Sequence, residues 1–287
     1  MSTPPGQTIN PSYWQASPLF LIMLAFLVFP VGVIVTVSFW DYDSYELIPD
    51  FIWDNYQYLL TSKVTWQAYA QTLFYAVTTW ATCLVTGFLI AYYLAFHIRN
   101  KAMQNLLFLL CTVPFFTSNI IRMISWIPLL GRNGLVNQGL LGIGIIDKPI
   151  EGLLYSDFSV ILAFVHLNVL FMIIPIFNSM SRIDRRLLEA SYDNGASSLT
   201  TLFQVVVPLS KTGIVIGSVF VLTLVMGDFI TVKMMSGGLS ASVGVLIHNE
   251  IGLLQYPAAA ANAVVLLITV LMMLALLFRM VDIKKEL

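Results

Sequence analysis

Charge is scarce in this chain: Asp, Glu, Lys and Arg make up 10% of its 287 residues, against about a quarter in soluble domains. So few ionisable side chains cannot clothe a water-facing surface of this length. Cysteine is nearly absent too. Cys83 and Cys111 both lie in apolar runs, with no CxxC and no Cys/His cluster, which excludes a disulfide framework and a zinc site and leaves them as packing residues. His97, His166 and His248 are not spaced as ligands of a common metal, and no metal is expected. The chain has no G-x-x-x-x-G-K-[ST] string and no Gly-Lys pair at all, so it brings no phosphate loop of its own. With no clustered nucleophile and base, no catalytic residue is assigned and no enzyme is expected. Nucleic acid is not an expected partner.

Hydrophobic residues dominate what remains, at 58% with a mean hydropathy of +0.85. A helix needs roughly 20 residues to cross a hydrocarbon core of about 30 Å. Stretches of this length run from Leu19 to Trp40, Ala68 to Phe96, Met103 to Leu130, Phe158 to Asn178, Thr212 to Val232 and Ala258 to Met280. Residues 1 to 18 carry no side-chain charge, so they lack the basic start of a cleaved signal, and the first stretch is read as a retained span. The expected fold is an all-α membrane protein with six transmembrane helices, forming one domain over residues 1–287 in contact with lipid.

The connections set the expected orientation. Arg99, Lys101, Arg182, Arg185, Arg186, Lys211, Arg279, Lys284 and Lys285 fall on one side of these spans. Lys63, Arg132, Lys148 and Lys233 fall on the other, with the acidic group Asp41, Asp43, Glu46, Asp50 and Asp54. The bias of Lys and Arg to the inner side predicts cytoplasmic termini and a cytoplasmic loop between the fourth and fifth spans. Outside, the connection from Gly131 to Asp157 is too interrupted by glycine to cross and is read as short interfacial helices. Pro30, Pro114 and Pro175 each remove a backbone hydrogen bond within a span.

The inner loop from about 181 to 210 has the most distinctive pattern. Ser181 and Asp184 can cap a first helix extending to Asp193, with Ile183, Leu187 and Leu188 towards one face. Gly195 offers a residue free to take positive φ after it. Ser197 or Ser198 can then cap a second helix through Val205, with Pro208 at the entry to the fifth span. This makes a helix, turn, helix unit lying along the membrane surface.

Glu189, Ala190, Gly195 and Pro208 stand in the register of the EAA loop of ABC importer permeases, with Ser191 in place of its second alanine and Val205 and Val207 in place of its Ile and Leu. Over nearly the whole chain the sequence resembles the first permease subunit of spermidine/putrescine transporters. The strings that carry this are Val113–Arg122, Gly134–Asn137, Ile145–Ile150 and Leu187–Ala190 with Gly195-Ala196-Ser197. Permeases for opines, aminoethylphosphonate and ferric iron are similar in the third span and outer loop. The resemblance implies a type I (MetI-like) permease fold in the bacterial inner membrane and a loop that couples to the ATPase through Glu189, Ala190, Asp193, Gly195, Ala196 and Pro208. It implies a second, non-identical permease, two ATP-binding subunits that hold the ATP, and a periplasmic substrate-binding protein. The chain itself is expected to need no cofactor.

Asn119, Arg122, Trp126 and Asp228 are the candidates for the substrate pathway. Charge inside a membrane is costly and faces a cavity or a partner. Arg122 and Asp228 either pair with each other and steady the helices, or Asp228 attracts a cationic amine while Arg122 fixes the gate and pairs with carboxylates in the resting state. Trp126 could face an ammonium through its ring, and His166 with Asn168 could line a polar path. A stand-alone secondary transporter or channel is the competing class, for which the few membrane-embedded carboxylates are thin material.

Overall fold

The structure is a computed structural model and describes residues 11–43 and 46–279. Lys284, Lys285 and the Met280 end of the sixth predicted span lie outside the described residues. In chain order the helices are α1 (Pro11–Met23), continued through a π-turn into α2 (Phe29–Val37), α3 (Asp54–Thr61), α4 (Lys63–Tyr92), α5 (Lys101–Thr112), α6 (Asn119–Ile124), α7 (Trp126–Leu130), α8 (Leu135–Gly142) and α9 (Asp157–Met180). They continue as α10 (Arg185–Asp193), α11 (Ser198–Thr201), α12 (Val207–Leu209), α13 (Lys211–Gly227), α14 (Ile230–Met235), α15 (Val243–Gly252) and α16 (Tyr256–Arg279). Ser17–Val37, Lys63–His97, Asp157–Met180 and Tyr256–Arg279 are each long and apolar enough to span. Two bent pairs bring the number to as many as 6.

The bends correct two predicted spans. The third is not one helix from Met103 to Leu130: Lys101–Phe116 and Asn119–Gly142 meet at 95°. Pro114 has no amide hydrogen to donate, the chain tightens into a 3₁₀ turn over Val113–Phe116, and Thr117 and Ser118 are extended. The fifth ends at Gly227 rather than Val232, with Asp228 extended at the break and α14 following. At its inner end Ser198–Leu209 and Lys211–Gly227 meet at 68°, so the span begins at Lys211 and Pro208 lies in the preceding helix. The second span starts at Lys63 and closes with a π-turn at His97.

Two compact units divide the chain. In the first, Met1–Ser62 with Asn249–Leu266, a two-residue antiparallel ribbon pairs β1 (Asp41–Tyr42) with β2 (Leu47–Ile48), a departure from the all-helical expectation. Asn55 organises it, its amide donating to the carbonyls of Ser38 at 3.1 Å and Trp40 at 2.8 Å. The apolar side chains of α1 and α2 from Leu19 to Phe29 are exposed, as suits contact with lipid.

The second unit, Lys63–His248 with Leu267–Leu287, is built on α4, α9 and α13, which pack against one another. Small residues set the separation of these helices, because lipid is as apolar as the side chains and close van der Waals packing has to drive association. Gly213 and Gly217, one G-x-x-x-G step on α13, face α9, and a Cβ on Gly213 would stand 2.3 Å from the Pro175 carbonyl oxygen. Met172 is buried between Gly217 of α13 and Gly87 of α4. The indole of Trp80 donates to Ser218 Oγ at 2.8 Å, tying α4 to α13. At one end of the trio Asp157 Oδ1 accepts from Tyr75 (2.5 Å), Gln71 (2.9 Å) and Ser240 (3.0 Å). Ser159 donates to the Met235 carbonyl and Thr72 accepts from the Val243 amide, each at 2.9 Å, so the segment after α14 is anchored to α4 and α9.

Candidate translocation cavity and coupling loop

The breaks in the third and fifth spans open a cavity of about 450 Å³ within the second unit. Its polar lining is Asn119 from α6, Asn168 from α9, Thr223 from α13, Thr231 from α14 and Asp228 at the break. Ile120, Met123, Leu167, Phe171 and Phe229 supply apolar walls. Asp228 is the single charged residue among them. Its carboxylate caps α14: Oδ1 accepts from the Thr231 amide at 2.9 Å and Oδ2 from the Thr231 hydroxyl at 2.6 Å. That arrangement holds the carboxylate at the rim of the helix start, where the backbone dipole favours negative charge.

Of the residues singled out in the sequence, Asn119, Asn168 and Asp228 meet in this cavity, while His166 is not among its lining residues. Arg122 lies one helical turn from Asn119, is 8% exposed, and donates through Nη2 to Asn119 Oδ1. It forms no ion pair with Asp228: among the described residues the one such pair is Arg132 with Glu151 at 3.6 Å, on the surface. Trp126 turns away from the cavity, its indole donating to His166 Nδ1 at 2.9 Å with the two rings edge to face. This bond fixes the hydrogen of neutral His166 on Nε2. Thr231 had no signal in the sequence beyond its position three residues after an aspartate, the spacing of a side-chain cap.

The inner loop forms the expected helix, turn, helix unit with shifted boundaries. α10 begins at Arg185, where Asp184 accepts from the Arg186 amide at 3.0 Å, and Ser181 instead closes the end of α9. Gly195 takes φ +80°. Its amide donates to the Tyr192 carbonyl at 2.8 Å and the Ala196 amide to the Ser191 carbonyl at 3.1 Å, the paired bonds that end a helix with a left-handed residue. Ser197 caps the second helix through the Thr200 amide at 3.2 Å. Ser191, where the family pattern has alanine, closes the unit by a 3.0 Å bond to Thr201. Ala190, Gly195, Ala196 and Ser197 line a groove with Thr200 and Gln204. Glu189, Asp193 and Pro208 are exposed around it. Leu187, Tyr192, Leu199 and Phe203 are also exposed, by 44–67%, an apolar surface of the kind that marks a protein contact.

Residues 83–283 match the family of the binding-protein-dependent transport system inner membrane component. The chain belongs to this family. It is a permease subunit of an ABC importer, a transport component of the inner membrane that crosses it several times. It is 32% identical over 262 residues to the spermidine/putrescine transport system permease protein PotB of Escherichia coli, covering 91% of this chain and 93% of that protein. Its fold is shared with a chain of a bacterial ABC transporter involved in the import of the acidic polysaccharide alginate, with a TM-score of 0.73 at 18% identity and 94% of each chain covered. A second structure of an alginate ABC transporter, in complex with an alginate pentasaccharide-bound periplasmic protein, matches at a TM-score of 0.72 and 18% identity, covering 94% of this chain and 93% of that one.

Proposed function

We propose that this permease forms half of the translocation pathway of a polyamine importer, moving spermidine or putrescine, and that its EAA loop docks on a separate ATP-binding subunit. The observation that carries the cargo assignment is Asp228, a lone carboxylate lining a cavity whose other groups are amides, hydroxyls and apolar walls. A protonated amine with a hydrocarbon stem matches that lining, and the relative with 32% identity over 91% of the chain is named for polyamine transport. An opine or aminoethylphosphonate would bring an anionic group for which no lining residue among those described is cationic, and ferric iron would meet a single carboxylate among them.

Both termini and the loop lie on the cytoplasmic side in this reading. The complete machine holds a second, non-identical permease, two ATPase subunits that bind the ATP, and a periplasmic binding protein that delivers cargo. The exposed apolar residues around the groove at Gly195 supply the ATPase contact. A rigid helical unit seated in a partner passes on rigid-body motion, which a flexible loop would absorb.

Uptake of labelled spermidine and putrescine by cells carrying Asp228→Asn, at unchanged protein level, tests the cargo: transport at the wild-type rate would count against it. Glu189→Lys and Gly195→Asp are expected to assemble poorly with the ATPase or to uncouple it, and full ATP-driven uptake in both would refute the docking role. Transport by the purified chain alone in liposomes would instead establish a stand-alone carrier or channel.

A further inference from the structure

Arg122 is unusual among the buried residues. Its Nη2 is satisfied by Asn119, but Nε and Nη1 are buried and have no acceptor among the described residues. A guanidinium held in this way pays for desolvation without the compensation of an opposite charge. A helix that could offer a better arrangement by moving would do so in another state. α6 is suited to such movement. It is a six-residue helix, separated from α5 by the extended Thr117 and Ser118 at the 95° bend, and it packs on α9 and on α14. α14 in turn follows Asp228, the one carboxylate among the described residues that line the cavity Asn119 shares.

We propose that Asp228 is exchanged between two cations: the Arg122 guanidinium when the cavity is empty, and an ammonium group of the cargo when it is filled. The arrangement described here, with Arg122 withdrawn onto Asn119 and the Asp228 carboxylate bonded, among the described residues, to Thr231, is the one in which the carboxylate is open to cargo. Rotation of α6 about Thr117 and Ser118 carries Arg122 towards the start of α14 and closes the pair. Cargo then competes with an internal cation of the same charge, so a site with a single carboxylate rejects solutes that cannot displace a guanidinium. Emptiness is signalled by movement of the helix that carries Arg122. This exchange rests on the reading of the cargo as a cationic amine.

The test is ATP hydrolysis by the assembled transporter in lipid nanodiscs, with Arg122→Met, Asp228→Asn and the double variant, first without binding protein and then with spermidine-loaded binding protein in excess. If the pair holds the empty state, each single variant raises ligand-free hydrolysis by at least about fivefold, and the double variant rises no further than either. Arg122→Lys, which keeps the charge, stays within about twofold of the wild type. The non-additivity disappears when loaded binding protein is present. Additive effects of the two substitutions without ligand, or a Lys variant as disturbed as the Met variant, overturn the exchange whatever the cargo is. Non-additivity that persists with loaded binding protein, where the wild type is stimulated by it, also overturns it. A wild-type complex that spermidine-loaded binding protein fails to stimulate overturns the cargo assignment instead, with ligand-free non-additivity still deciding whether Arg122 and Asp228 pair.

Discussion

Replacing Gly213 with alanine places one methyl group where the structure has no room for it. The added Cβ would sit 2.3 Å from the Pro175 carbonyl oxygen, 2.8 Å from its carbon and 2.6 Å from Ser179 Oγ. Two of these three atoms are backbone, so a rotamer change cannot clear them, and α13 and α9 have to separate by about 1 Å to restore ordinary contact. A gap of about 0.5–1 Å forfeits a quarter to a half of each dispersion contact, and overpacking of this kind costs about 1–3 kcal/mol. Backbone obstruction puts Gly213→Ala at the upper end, about 3 kcal/mol, which in a chain of this size lowers the thermal midpoint by roughly 5 °C. Gly217→Ala is the internal comparison. Its closest contact is Met172 Sδ at 2.7 Å, with Met172 Cα at 3.1 Å; the flexible thioether can swing aside, and a cost of about 1 kcal/mol follows. Gly32→Ala has nothing within 4 Å and is expected to be neutral or slightly stabilising through helix propensity. The assay is gel filtration of the detergent-solubilised protein after a series of heat challenges. Equal midpoints for the Gly213 and Gly217 variants, or a Gly213 variant no worse than the Gly32 one, would refute the account of how α9 and α13 are spaced.

The other expectations concern the turn, the outer loop and a buried acid. Gly195 has φ +80°, and a Cβ added to it would meet nothing within 4 Å, so Gly195→Ala is penalised by backbone conformation alone, by about 1–2 kcal/mol; Gly195→Asn should retain more ATPase binding than Ala in a co-purification assay, and the reverse order would exclude conformation as the cause. Asn137 is fully buried and exchanges bonds with the Gly131 and Ile150 carbonyls and the Ile150 amide. Asn137→Ala should expose residues 131–156 to limited proteolysis, at a cost of about 1–3 kcal/mol for each buried group left unpaired, and an unchanged cleavage pattern would contradict this. Burial pushes the Glu250 carboxyl above its ordinary value, against the opposing bond from Asn262. Folding therefore favours its neutral form relative to the unfolded chain. The associated stability is complete below the unfolded pKa of about 4.3 and is lost as pH rises through the raised folded value. As pH rises from the unfolded pKa through the raised folded value, the thermal midpoint of the wild type should fall relative to Glu250→Gln, and parallel pH profiles for the two would show that Glu250 is not the titrating group.

Composition and the lengths of the apolar runs were enough to expect a membrane protein with six spans, because a bilayer leaves few ways to satisfy a backbone and each way has a length; four are long single helices and two are bent pairs. The inner loop was equally legible. Caps and a positive-φ glycine act over a few residues, so Asp184, Gly195 and Ser197 take their roles from near neighbours. The shift of the first helix start from Ser181 to Arg185 is a choice between two adjacent caps, settled when Ser181 completes α9. The G-x-x-x-G step at Gly213 and Gly217 was also present in the sequence, but its partner surface at Pro175 and Met172 is 38 to 45 residues away and depends on how α9 and α13 cross.

What the sequence could not determine was where long helices break and which polar residues those breaks bring together. Pro114 and Asp228 stand in runs apolar enough to be read as continuous spans, and hydropathy has no term for a 95° bend. Tertiary packing decided that Asn119 and Asp228 share a cavity, that Trp126 is turned to His166, and that Arg122 is buried on Asn119 with no carboxylate partner among the described residues. The reason is the range of the interactions. Spans and caps follow from hydrophobic length and local hydrogen bonds, both written along the chain, whereas the site is assembled from α6, α9, α13 and α14, elements whose meeting depends on the packing of the whole unit.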